Sequence, residues 1–183
     1  MDALTYLKIE HRLITEAMVL IAKSSPQEKG ALTSRLKHQV EMHDLLEVEV
    51  TLTAISVGID LEILPGPKNS RNSRTTVRKS LAMLTFHPSD LPDWLSSFQV
   101  TQSLFLRQMA GEEQGPFKAI RDAMGWVELR SLGACLKSER ARLALLNSGD
   151  LDGLVSNLNA GLRQNRYLKE PLFKRFKLGK NAR

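Results

Sequence analysis

The sequence predicts an all-α protein: an antiparallel four-helix bundle, then a short fifth helix and a basic C-terminal tail. Three observations carry this. Apolar residues recur at alternating spacings of three and four along four long segments. Stretches rich in Pro, Gly, Ser and Asn separate those segments. Hydrophobic residues make up 42% of the chain but aromatics only 5%, and the abundance of Leu, Ala, Lys, Glu and Arg favours helix over sheet. With 183 residues there is material for one domain with a real core. We assign it to residues 1–149, and residues 150–183 to the tail.

The first helix is expected over Asp2 to Lys23, with Leu4, Leu7, His11, Ile14, Met18 and Ile21 on one stripe. "SSPQ" interrupts the chain, and Pro26 suits the first turn of a second helix. That helix runs to about Val57 on the stripe Leu32, Leu36, Gln39, His43, Glu47, Val50, Ala54. The segment "GIDLEILPGPKNSRNS" reads as a connection. The third helix is expected from Ser73 to Phe86, with Arg74, Val77, Leu81 and Leu84 in line. After "HPSDLP" the fourth runs as one piece to about Met124, where Gly125 ends it, and its stripe includes Phe98, Thr101, Phe105, Gln108 and Glu112. "WVELRSLGACLKSERARLALL" forms the fifth. Residues 2–58 and 73–124 resemble each other weakly, each a shorter helix followed by a longer one.

Charge is unevenly placed. The net charge is +6, yet residues 161–183 alone hold eight basic residues against one acid, and residues 66–80 hold five with no acid. These two patches suit an acidic protein or a nucleic acid as partner, although a solvated, mobile tail is the simpler expectation. Cys135 is the single cysteine, so neither a disulfide framework nor a thiolate metal cluster is expected; on the short helix it reads as buried. The opening residues do not read as a signal peptide, and no apolar run approaches a membrane span. A cytoplasmic protein is expected.

The informative residues are polar ones on apolar stripes. His11, His43, Glu47, Arg74, Gln108 and Glu112 stand where the pattern calls for Leu. A buried carboxylate left unpaired costs several kcal/mol, so two such glutamates from different helices need a shared cation. His43 and Glu47, in the spelling H-x-x-x-E, lie one turn apart on one face and can point at one axis. By contrast, His38 reads as a boundary residue, His87 as a turn residue, and Glu41, Glu49 and Glu113 as solvated. No catalytic triad order, phosphate-binding loop or dinucleotide fingerprint is present.

Three segments together resemble the hemerythrin-like, or HHE cation-binding, domain family: "MDALTYLKIEHRLITEAM", "LKHQVEMHDLLEVEVTLTAI" and "LFLRQMAGEEQGPFKAIRDAMGWVELRSLGACLKSERARL". The resemblance spans roughly residues 1–147. It implies a four-helix bundle around a non-heme di-iron centre, with His11, the pair His43 and Glu47, and Glu112 at ligand positions. Two positions depart from the family pattern: Arg74 stands at the third-helix His and Gln108 at the fourth-helix His. Pro116 and Phe117 are in reversed order. Gln is a poor ligand for iron and Arg is none. The implied site is therefore incomplete. It holds at most a single ion on His11, His43, Glu47 and Glu112, iron or another divalent metal, with iron, oxygen or redox sensing as the role and no enzymatic activity. The alternative is a metal-free bundle in which Arg74 replaces the metal's charge by pairing with Glu47 and Glu112, and the basic loop and tail contact an acidic partner.

Overall fold

The first helix starts where Asp2 can cap it. Asp2 Oδ1 accepts from the Thr5 amide at 2.9 Å, and Oδ2 from the Thr5 hydroxyl at 2.7 Å, which satisfies one of the free N–H groups of the first turn. In this computed structural model the chain is described over residues 1–59, 67–87, 89 and 91–146, with side chains of the third helix described from residue 74 onward. The elements are α1 (Ala3–Lys23), α2 (Pro26–Ser56), α3 (Pro67–Phe86), α4 (Pro92–Gln114), α5 (Pro116–Ala123) and α6 (Trp126–Leu143). The basic residues at 161–183 lie outside the described residues, as does the proposed boundary at 149/150.

α1 buries Leu4, Leu7, His11, Ile14, Met18 and Ile21, the stripe its spacing predicts. α2 begins with Pro26 in its first turn, and the Glu28 carboxylate accepts from the Ser25 amide at 3.1 Å and hydroxyl at 2.7 Å, a reciprocal cap. It ends at Gly58, whose φ of 90° takes the left-handed turn that lets Ile59 N–H reach back to Ala54 O at 3.1 Å.

Contacts fix the helix directions. His11 on α1 meets His43 on α2; Asp44 and Glu47 on α2 meet Arg78 and Arg74 on α3. Arg74 meets Glu112 on α4, while Trp94 Nε1, near the start of α4, donates to Leu84 O at 3.2 Å. Each successive partner runs backward along the next helix, so α1 to α4 form the expected antiparallel bundle.

Three expectations are corrected. The fourth helix is not one piece: it breaks at Gly115 (φ −104°, ψ −93°) and restarts as α5, because Pro116 has no N–H to give the helix and its ring crowds the preceding turn. The third helix starts at Pro67 instead of Ser73, with proline in the first turn where its missing donor costs nothing. Cys135 is exposed, since α6 turns Leu129, Leu132, Gly133 and Leu136 inward instead.

α6 lies across the start of α1. A Cβ at Gly133 would sit 2.5 Å from Met1 O, 2.8 Å from Asp2 C and 2.9 Å from Ala3 N, so only glycine allows this approach. Farther along, Arg140 Nε lies 3.4 Å from both carboxylate oxygens of Glu10. Gly133→Ala should lose a net ~1–2 kcal/mol, the overpacking cost exceeding the helix-propensity gain. Urea denaturation checks this, and an unchanged or raised midpoint would show that the N-terminal turn yields freely.

The core falls into two apolar clusters. One gathers Leu4 and Leu7 with the second half of α2, Phe117 and Ile120 of α5, and α6. The other gathers Ile14, Met18 and Ile21 with Leu36, Val77, Leu81, Phe98 and Phe105. Between them lies a layer of polar side chains.

Candidate metal centre

That layer is built from the four stripes. His11, His43, Glu47, Gln108 and Glu112 are all at most 6% exposed, each on the inward face of its helix. His11 Nε2 faces Glu112 Oε2 at 3.5 Å. The His11 and His43 rings meet edge to face with centroids 4.7 Å apart, and Phe117 stacks on the other side of His11. One ligand atom from each of His11, His43 and Glu112 lies within 4.8 Å of the other two.

Glu47 stands apart from these three. Arg74 reaches into the layer from α3, its NH2 group bonded to Glu47 Oε1 and its Nε donating to Glu112 Oε1 at 3.2 Å. Glu112 Oε1 also accepts from Gln108 Nε2 at 3.0 Å. Arg74 and Gln108 thus both turn toward the carboxylates. Glu47 Oε2 is 4.0 Å from His43 Nε2, beyond hydrogen-bond range. The neighbouring pair repeats the pattern one turn on, with Arg78 Nε 3.6 Å from Asp44 Oδ2.

Three buried carboxylates therefore share two guanidinium groups. Burial pushes Glu47 well up, against the pull of Arg74, and pushes Asp44 up to about 7. Glu112 feels the same burial, but Arg74 and His11 outweigh it and hold the carboxyl at about 2. Burial, with His11 beside it, lowers His43 to about 3, so at neutral pH it is an uncharged imidazole.

Does a metal ion suit these residues? Two observations say that one does. Among the described residues neither ring nitrogen of His43 has a hydrogen-bond partner, nor has His11 Nε2, although both rings are buried. Such orphaned atoms are costly, and a cation between one His43 nitrogen, His11 Nε2 and Glu112 Oε2 would remove part of that cost, leaving the other His43 nitrogen as it is. His11 Nε2 and Glu112 Oε2, 3.5 Å apart, can be bridged by one ion with ~2.1 Å ligand bonds, while the three ligand atoms together, within 4.8 Å of one another, would draw in to share it. A second ion does not fit. The place beside Glu47 and the outer oxygen of Glu112 is taken by Arg74, whose charge would repel it.

Of the sequence-derived candidates, then, the structure brings His11, His43 and Glu112 together and gives Glu47 to Arg74. His38 is half-buried and His87 is exposed in the bend after α3, as expected. Two of the three glutamates read as solvated are corrected, and the third, Glu113, is partly exposed. Glu41 and Glu49 are buried because α2 is covered on several faces, and Glu41 pairs with Lys37 one turn before it. Glu113 is drawn in by His11 and Lys8. A sequence signal for it existed: Lys8 and His11 share one face of α1, opposite an acid next to Glu112.

Comparison with solved structures agrees with this architecture. A hemerythrin HHE cation-binding domain-containing protein from Mycobacterium kansasii superposes with a TM-score of 0.66, over 92% of this chain and 97% of that one. The fold is hemerythrin-like. At 17% identity the likeness concerns the hemerythrin-like fold alone. No family model matches the chain, and no curated protein matches it. Among the described residues no helix is long and apolar enough to cross a membrane.

Proposed function

We propose that this hemerythrin-like bundle binds a single divalent metal ion on His11, His43 and Glu112, and that Arg74 takes the place a second ion would need. The observation that supports it is the set of facing groups in a buried layer: the imidazoles of His11 and His43, with ring nitrogens that are unpartnered among the described residues, and the carboxylate of Glu112, one ligand atom of each lying within 4.8 Å of the other two. Two histidines and one carboxylate suit Fe(II), Mn(II) or Zn(II), and three protein donors leave further coordination positions open. Iron held there would supply one-electron redox chemistry and affinity for diatomic gases. The chain's own part is to hold the donors, exclude water and fix the local charge. We read the role as binding and sensing, not turnover.

Elemental analysis of protein from cells supplemented with iron, manganese and zinc, with an optical spectrum beside it, tests this. About one metal per chain is expected, falling to none in His43→Leu. Two ions per chain would overturn the role given to Arg74. A folded protein with no metal would overturn the centre itself and leave a bundle held by Arg74 alone.

A further inference from the structure

The geometry around His11 assigns a task to a residue outside the ligand set. Glu113 Oε1 lies 2.9 Å from His11 Nδ1, and its Oε2 lies 3.2 Å from Lys8 Nζ. A neutral imidazole carries one proton, and the stronger partner decides which nitrogen holds it. Glu113 can only accept. Its contact with Nδ1 is shorter than the 3.5 Å from Nε2 to Glu112, so the proton belongs on Nδ1. Nε2 is then left with its lone pair on the side shared with His43 and Glu112. Lys8, one turn before His11 on α1, holds the second oxygen of Glu113 and fixes the direction of the carboxylate. The ring itself is clamped flat against Phe117, 5.7 Å away and 11° from parallel.

We infer that Glu113 is a positioning residue: it fixes His11 as the tautomer that presents Nε2 to the centre, with Lys8 as its brace. A carboxylate behind a ligating imidazole both orients the ring and makes the other nitrogen a better donor. The purpose of this arrangement rests on the single-ion reading, but its test does not.

The test uses the full chain labelled with 15N, and reads the ring nitrogens of His11 by NMR at about pH 8.5, above the ordinary histidine range. The sample is measured without metal and then with Zn(II). In the metal-free wild type we expect the proton on Nδ1 and none on Nε2; with zinc, Nε2 should show the metal-bound shift. Glu113→Leu should lose the preference for Nδ1–H and weaken zinc binding about ten- to a hundredfold. Glu113→Gln keeps an acceptor oxygen and should retain the tautomer, which separates positioning from a general loss of folding. A proton on Nε2 in the metal-free wild type, or a Glu113→Leu protein with the wild-type tautomer, would overturn the inference. If zinc does not bind but Nδ1–H is present and lost in Glu113→Leu, the single-ion reading falls and the role of Glu113 stands.

Discussion

Replacing Arg74 with Met is expected to lower stability by about 3–5 kcal/mol, because it removes a cation that touches both Glu47 and Glu112. Methionine fills a similar volume, so the loss reports charge more than packing. Glu112 keeps Gln108 as a donor, whereas Glu47 has Arg74 as its hydrogen-bond partner. Burial already pushes Glu47 up, so in the variant it should take a proton, and the cost should shrink in mildly acidic buffer. Divalent metal should also recover more stability in Arg74→Met than in the wild type, since the emptied place beside Glu47 can take a cation. Chemical denaturation with and without zinc checks both points. A metal-free Arg74→Met protein as stable as wild type, or more so, would show that the guanidinium is not needed to hold the carboxylates.

Replacing His43 with Leu should act in the opposite direction. His43 is wholly buried, and among the described residues neither ring nitrogen is hydrogen-bonded. Exchanging an unsatisfied polar ring for an apolar side chain of similar size should stabilise the metal-free protein by ~1–3 kcal/mol. The same change removes a metal ligand. Adding metal should therefore invert the order: the wild type gains about 2.7 kcal/mol when free metal reaches a hundredfold of its dissociation constant, and the variant gains nothing. The pH response should differ too. His43 is held to about 3 in the fold against about 6.5 in the unfolded chain. Between those values the unfolded chain binds the extra proton, so wild-type stability falls as pH drops through that window. His43→Leu lacks that contribution. Melting curves on metal-free and zinc-loaded protein between pH 4 and 8 would show the crossing, on the order of several degrees; parallel curves for the two proteins would mean that His43 is satisfied in some other way.

Much of this was legible from spacing alone. The α1 stripe buries the six residues it names, and six polar residues on apolar stripes, His11, His43, Glu47, Arg74, Gln108 and Glu112, meet in the central layer. That Arg74 points inward could be argued from its register with Val77, Leu81 and Leu84. What spacing could not convey was competition between partners. His43 and Glu47 lie one turn apart and look like a pair, yet Arg74 reaches Glu47 from another helix and draws it away from the two histidines. Nor does a single stripe say how many neighbours a helix has. α2 is covered along Val40 to Val50 on every face, so Glu41 and Glu49, outward by periodicity, are buried all the same. The break at Gly115 was written in the next residue, Pro116, but an apolar rhythm that runs on through Phe117 and Ile120 concealed it. The contact of the partly exposed Glu113 with His11 was missed because it joins side chains 102 positions apart.

The polar layer lies between two separate apolar clusters, one tied by α5 and α6 and the other by α3 and α4. This makes the molecule modular in a specific sense. Each end has its own grip on α1 and α2, so the middle can be rewritten without asking either end to let go. Between those ends a guanidinium and an amide, Arg74 and Gln108, hold the carboxylates of Glu47 and Glu112. The chemistry of the centre is then free to drift while the fold around it keeps the same shape.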